Sequence, residues 1–531
     1  MTTTDSSRQY RRLTLVLVAI SLLTVGCYTP APQTIDTRYN THHAKVRLLF
    51  DLAHAHPQIL GGHLDKNSYG YYEVTNWHSL LNTLRIAEVS TDLLVKGEIT
   101  SALLADYQLF CLFFPEKPAP PLTIDEIHAI EKWVRDGGGL FIVGEHNNAG
   151  YSSERLNPLL SQFGIEMGYG CVIDDANAFT TGGWHKCFDF TNHPIIENVR
   201  AVAVRTGGAL EINESHPDEP RGIVRSSKTA YLDHWNPNFP PAFTGDFVRQ
   251  PQEPEGPFFE MAVATPGKGR VVVLGDHNIF DNLTLRYVDN LRCALQAWNW
   301  LAREKLNIAV AENEKTILVP ETTRPSDIMR PDSSREGHGA NTFYTFFTVL
   351  NRHPTVIAHC TEFLDDKNYS MVIVAPQRQK FSPRYLEYLR SEYQEGAVIT
   401  VLADAGIGLG DGTKQVLEEF EVSLGPLPKE KLKKEGELVA GDLSVGRSTV
   451  DVYPWHQRKE QRTLLKLLTK EQEYPIIVEY APRIQIVLQA QMFYNRAFQT
   501  SEGFTLPRET VKPNEDGLVL FRAIWAWLDT L

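Results

Sequence analysis

Short unbroken apolar runs alternate along this chain with longer stretches in which apolar residues recur every three or four positions. Val46–Phe50, Leu109–Phe114, Leu140–Val143 and Val271–Leu274 are near-continuous β-branched and aromatic runs, the pattern of strands buried on both faces. Ile124–Arg135 and Leu291–Leu301 carry helical spacing instead; in the second, Leu291, Ala294, Leu295, Trp298 and Leu301 fall on one face. Such alternation predicts βαβ units, hence an α/β fold with a mainly parallel sheet covered by helices.

The order of these elements is written twice. Asp106-Tyr107, the run Leu109–Phe114, a helical stretch and Gly137–Val143 in the first half are answered by Asn368-Tyr369, Met371–Ala375, Pro383–Tyr393 and Gly396–Leu402 in the second. Arg270–Leu274 is answered by Arg483–Val487, and each half closes on a helix with two tryptophans, Trp298 and Trp300 or Trp525 and Trp527. The expected organisation is therefore a first domain over residues 45–304 and a second, degenerate copy over residues 305–531. The first holds roughly 40 more residues between its matched segments, expected as an inserted loop region at about 170–250. Lys429–Glu437 reads as a solvated charged loop.

The chain of 531 residues carries a net charge of −13. That balance argues against nucleic acid as a partner, which calls for a basic stripe. Cysteine spacing contains no CxxC, so a zinc ribbon is not indicated; Cys171 and Cys187 could pair across a loop in an oxidising compartment, whereas Cys111 and Cys293 read as buried thiols. At the start, Arg8, Arg11 and Arg12 precede the apolar run Leu13–Val25, too short for a bilayer span and of the length of a secretory signal. Its end, Leu23-Thr24-Val25-Gly26-Cys27, resembles a bacterial lipobox, with Thr24 where leucine is usual. The resemblance implies a signal over residues 1–27, lipid on Cys27, a tether over 28–44 and residence on the cell envelope, at the outer membrane where there is one. A plain signal peptide or an uncleaved anchor stays open.

Three segments carry a family resemblance: Leu48–Asp51 with His54 and His56, Asp136–His146, and Gly269–His277. They resemble the class I glutamine amidotransferase-like superfamily, in its non-glutaminase branches near the trehalose-utilisation-type proteins. The resemblance implies tandem flavodoxin-like domains. Enzymes of that superfamily present a nucleophilic cysteine after a central strand. Here Leu140–Val143 runs into Gly144-Glu145-His146-Asn147-Asn148, and without a cysteine a thioester mechanism is not expected.

Ligands of open α/β sheets bind beyond the carboxyl ends of the strands. In the first copy those ends repeat an acid-plus-imidazole theme: Asp51 with His54, Glu145-His146 and Asp276-His277, with Glu116 after a further strand. Such groups suit general acid–base catalysis or a divalent metal, for which His146, His277 and Asp276 are candidate ligands. Asn147, Asn148, Asn278 and Asn282 offer neutral hydrogen bonds, and Trp184, His185, His193, His216, His234 and Trp235 line the insertion, tryptophan being suited to sugar faces. In the second copy Glu145 and His146 fall opposite Ala403 and Asp404, and Asp276 and His277 opposite Gln489 and Ala490, so the cluster is expected in the first copy alone. The readings left open are a protein binding a polar small molecule or glycan, a metal- or acid–base-dependent hydrolase or isomerase of a sugar derivative, and a scaffold in an envelope complex.

Overall fold

The computed structural model describes residues 32–42, 44–55, 59–60, 76–115, 117–179, 183–234, 245–282, 284–303, 306–308, 316–320, 343–351, 353, 356–364, 368–406, 408–455, 461–493 and 515–531. Cys27, His56, Glu116 and Trp235 lie outside them.

The first domain contributes β1 (Thr34–Tyr39), β2 (Val46–Asp51), β3 (Val89–Lys96), β4 (Leu109–Phe113), β5 (Gly139–Val143), β6 (Ile165–Ile173), β7 (Trp184–Cys187), β8 (Asp189–Phe190), β9 (Val202–Arg205), β10 (Gly208–Ile212), β11 (Arg221–Arg225), β12 (Tyr231–His234), β13 (Phe259–Ala264) and β14 (Arg270–Leu274). The second contributes β15 (Thr316–Pro320), β16 (Ile357–Thr361), β17 (Met371–Val374), β18 (Val398–Leu402), β19 (Leu432–Ala440), β20 (Leu443–Val452), β21 (Arg462–Leu468), β22 (Glu473–Ala481) and β23 (Ile484–Val487). Helices α1 (His78–Ile86), α2 (Ser101–Leu104), α3 (Ile124–Arg135), α4 (Ser152–Leu160), α5 (Asn290–Ala302), α6 (Tyr344–Asn351), α7 (Pro383–Glu395), α8 (Asp411–Glu419) and α9 (Glu515–Leu528) are distributed between them.

Each sheet is built on five parallel strands in the same order, β3-β2-β4-β5-β14 in one and β16-β15-β17-β18-β23 in the other. Counted along each domain that order is 2-1-3-4-5, the flavodoxin-like order. An antiparallel strand follows in both, β13 beside β14 and β22 beside β23, and leads into further antiparallel strands. The fold is thus two flavodoxin-like α/β domains.

The apolar runs are strands because both faces are covered. All five residues of β4 and of β5 are buried, and α5 lays Trp298 against the ring of Phe141 at 4.7 Å. Helix α3 begins where Thr123 and Glu126 close a reciprocal capping box, worth about 1 kcal/mol. It stops at Gly137, whose φ of +130° suits a residue without a Cβ.

Three expectations change. Thr34–Tyr39, read as tether, is β1, paired antiparallel to β3, because its polar side chains sit at a half-exposed edge where apolar periodicity is faint. The inserted region is not a loop: β7 to β12 lie within it, continuing the main sheet and adding a ribbon of β7 and β9. Residues 432–437 belong to β19, where exposed Lys433 and Glu435 alternate with more covered residues, so a strand paired between β21 and the edge strand β20 has the composition of a solvated loop.

The domains meet through Arg286–Val288. Cys360 N donates to Arg286 O at 2.8 Å and Val288 N to Cys360 O at 2.9 Å, so this segment of the first domain lies along β16. Tyr287, Val288, Phe179, Ala201 and Ala203 pack into the apolar core of the second sheet. Lys186 reaches Glu362 at 2.6 Å. Among the described residues no helix is long and apolar enough to cross a membrane.

Candidate functional site

β5 and β14 are parallel neighbours with Val143 opposite Leu274, so they end at the same level. Each then repeats one local sequence, Gly-acid-His-Asn: Gly144-Glu145-His146-Asn147 and Gly275-Asp276-His277-Asn278. The acid caps the tight turn that follows. Glu145 accepts from His146 N at 3.2 Å and Asp276 from Asn278 N at 2.7 Å. The glycine permits close backbone approach, since a Cβ on Gly275 would stand 2.2 Å from Gly208 O.

Two turns of matching sequence side by side bring their acids and imidazoles together. His146 Nδ1 lies 2.6 Å from Asp276 Oδ2 and contacts Glu145 Oε1 as well. His277 Nδ1 is 2.7 Å from Glu145 Oε2, off the line of a hydrogen bond, and both its ring nitrogens are buried without a hydrogen-bond partner. Asn278 Oδ1 is buried and unpartnered too, while its Nδ2 donates to Thr206 Oγ1 at 3.1 Å. All four titratable residues are at most 7% exposed.

Burial alone would lower the pKa of His146, but Glu145 and Asp276 outweigh it and hold the imidazole up at about 10. For Glu145 burial pulls upward and is overcome by the two imidazoles, which hold the carboxyl well below its usual range. Asp276 is pushed up to about 7 by burial and by the Glu145 charge. His277 is raised by Glu145 against its own burial. The oxygens of Glu145 and Asp276 and a nitrogen of His146 lie within 4.8 Å of one another, a spacing that three ligands of one cation could adopt.

Strand register corrects the comparison with the second domain. Gly144 N bonds Leu274 O and Ala403 N bonds Val487 O, so Gly144 corresponds to Ala403, Glu145 to Asp404 and His146 to Ala405, one residue later than the sequence match gave. Glycines carry no side chain to fix register, and the hydrogen-bond ladder does. An acid is therefore kept at Asp404, where it accepts from Gly406 N at 2.7 Å. Gln489, at the place of Asp276, bonds Tyr453 N and O at 2.8 and 2.7 Å. At these positions the second domain therefore keeps one acid and lacks the other acid and both imidazoles.

The remaining expected residues divide. Asn147 and Asn148 are buried in left-handed turn conformations, φ 52° and 51°, and Asn148 is tied to Glu154. Asp51 and His54 stand at the end of β2, two strands from β5, which places them ~10 Å along the sheet. There His54 bonds Asp51 at 3.0 Å and contacts Glu126 of α3 at 3.4 Å, an arrangement that anchors a loop. Trp184 is half-buried under the Arg205 guanidinium at 4.4 Å, and His185 is fully buried on Glu260; neither joins the cluster. His234 is exposed, its Nδ1 3.1 Å from Leu232 O. Asn282 ties Asn76 and Ser79 of the α1 region, while His193 and His216 cap local turns. Cys171 and Cys187 are free thiols, as are the other described cysteines. Sequence reasoning missed Glu126, on the α3 helix, and Glu260, an acid inside an apolar strand.

No family model matches this chain, and neither does any curated protein. Among solved structures it is similar to the mmIFT52 N-terminal domain, with 17% identity and a TM-score of 0.35 over 48% of this chain and 97% of that one. It is also similar to ThuA-like proteins of Bacteroides uniformis (14% identity, TM-score 0.29, 49% and 94% of the chains) and Parabacteroides merdae (12%, 0.29, 49% and 91%). Likeness of this degree assigns neither activity nor ligand.

Proposed function

We propose that the first domain binds a polar small molecule, a sugar derivative, at the carboxyl edge of its sheet and acts on it by general acid–base chemistry, as a hydrolase or isomerase. One observation carries this reading: the Nδ1 side of the buried His146 ring is taken up by Asp276 and Glu145, and among the described residues Nε2 has no partner. A carboxylate on one nitrogen fixes ring orientation and leaves the other to move a proton. Protonated at neutral pH, His146 is the proton donor and Asp276 the second titrating group. The unpartnered Nε2 of His277 and Oδ1 of Asn278 supply hydrogen-bonding capacity for the ligand.

The close spacing of Glu145, His146 and Asp276 ligand atoms favours a second reading, in which a divalent cation sits among them. The lipobox resemblance supports a chain carried on the envelope by lipid on Cys27, with the second domain as structural partner.

The test is turnover of a panel of 4-nitrophenyl glycosides by the full chain in detergent, with metal content measured alongside. Turnover by metal-free protein, lowered about 10²–10⁴-fold in a folded His146→Ala variant, is expected. Unchanged turnover in that variant would overturn the acid–base reading. Stoichiometric metal, lost in a His146→Ala/His277→Ala variant, would select the cation reading, and binding without turnover would reduce the site to recognition.

A further inference from the structure

A second group of metal-ligating side chains lies in the same domain, outside the turn cluster. His185 and Cys187 are two residues apart on β7 and so share a face; Lys186, between them, faces the other way and reaches Glu362 of the second domain. Opposite stands Glu260 of β13. His185 Nε2 is 2.8 Å from Glu260 Oε1, and the Cys187 thiol is 3.3 Å from the same oxygen. All three residues are 0% exposed, and their ligand atoms lie within 4.8 Å of one another.

Glu260 Oε2 is the telling atom. It is buried with no hydrogen-bond partner, in a space kept open by Gly207, whose Cβ would stand 1.8 Å from it. A buried carboxylate oxygen without a donor is costly, and a cation is what would satisfy it. Ligands at ~2.0–2.3 Å from a tetrahedral ion are ~3.3–3.8 Å apart, so small side-chain rotations would bring this set around one centre. One thiolate, one imidazole and one carboxylate suit zinc and exclude the hard oxygen-only preference of magnesium or calcium.

We propose that His185, Cys187 and Glu260 form a buried structural site for a zinc-class divalent cation, which fastens the β7–β9 ribbon to the main sheet. Binding releases the Cys187 thiol proton to solvent and leaves His185 Nε2 as a lone-pair donor. Because the ribbon's other face carries Lys186, the ion would steady the contact between the domains.

The full chain, purified in detergent and stripped with a chelator, is titrated with Co²⁺ and then Zn²⁺. A single equivalent of Co²⁺ is expected to give thiolate-to-cobalt charge-transfer absorption in the near ultraviolet, displaced by Zn²⁺. Cys187→Ser should abolish this absorption, and Glu260→Gln should weaken binding on the order of tenfold or more. The Glu145, His146 and Asp276 group contains no thiol and cannot produce the signal, so the outcome is independent of the acid–base reading. A folded wild-type chain without the absorption overturns the proposal, and so does absorption that survives in Cys187→Ser. Should Cys187→Ser not fold, the wild-type titration and Glu260→Gln decide the question, undiminished Co²⁺ affinity in Glu260→Gln counting against the site.

Discussion

His54 sits between two carboxylates, and its chemistry is set by which of them it neutralises. Burial lowers its pKa, yet Asp51 and Glu126 outweigh burial and hold it at about 10, while Glu126 is held down at about 2, its own burial being overcome by His54 and the backbone donors of Thr123 and Ile99. A folded pKa raised above 6.5 means a stabilising contribution fully present below that value and lost as pH rises through about 10. The depressed Glu126 works in the opposite sense, its contribution present above 4.5 and lost as pH falls toward 2. His54→Asn is expected to destabilise by about 3–5 kcal/mol near neutrality, because two buried acids lose their cation. In thermal unfolding, the gap between wild type and variant should be level from about pH 5 to 6 and close at alkaline pH. A gap that stays open through pH 11 would show that packing, not charge, is what His54 supplies.

At the scale of elements, Glu126 links three of them. Its carboxylate accepts from Thr123 N at 2.8 Å, completing the α3 cap, from Ile99 N at 3.0 Å ahead of α2, and meets His54 beyond β2. Thr123→Ala removes the capping contact to Glu126 N and the hydroxyl's bond to the Glu126 carboxylate, but leaves that carboxylate its Thr123 N and Ile99 N donors, and should cost about 1 kcal/mol. Glu126→Ala leaves a buried donor at Ile99 without its acceptor and His54 with Asp51 as its one remaining carboxylate, and should cost at least about twice as much. Urea unfolding of both variants makes the comparison; equal losses would mean that Glu126 acts as a cap alone. The capping box was legible in Thr123-x-x-Glu126, since it is a contact between near neighbours. The link to His54 was not, because it depends on β2 and β4 lying side by side.

For the whole molecule, the structure joins two similar sheets through a segment of the first that lies along an edge strand of the second. Tyr287 is fully buried there, so the domains share core as well as hydrogen bonds, and their stabilities are coupled. The proposed attachment to a membrane belongs to this scale too. Cys27→Ser is expected to abolish incorporation of labelled palmitate by the expressed chain and to release it from the membrane fraction; label retained in the variant would remove Cys27 as the lipid site.

Periodicity and repetition in the sequence determined the parallel core strands, the helices α3, α5 and α7, the doubled order and the acid–imidazole pairs at strand ends. These depend on local burial pattern, which a linear chain carries openly. Tertiary structure alone decided that Glu145-His146 and Asp276-His277 meet, that Asp51-His54 stands apart on Glu126, and that His185 and Cys187 face Glu260. Residues 130 or 75 positions apart become neighbours only through strand order and register, which the spacing of residues along the chain does not encode.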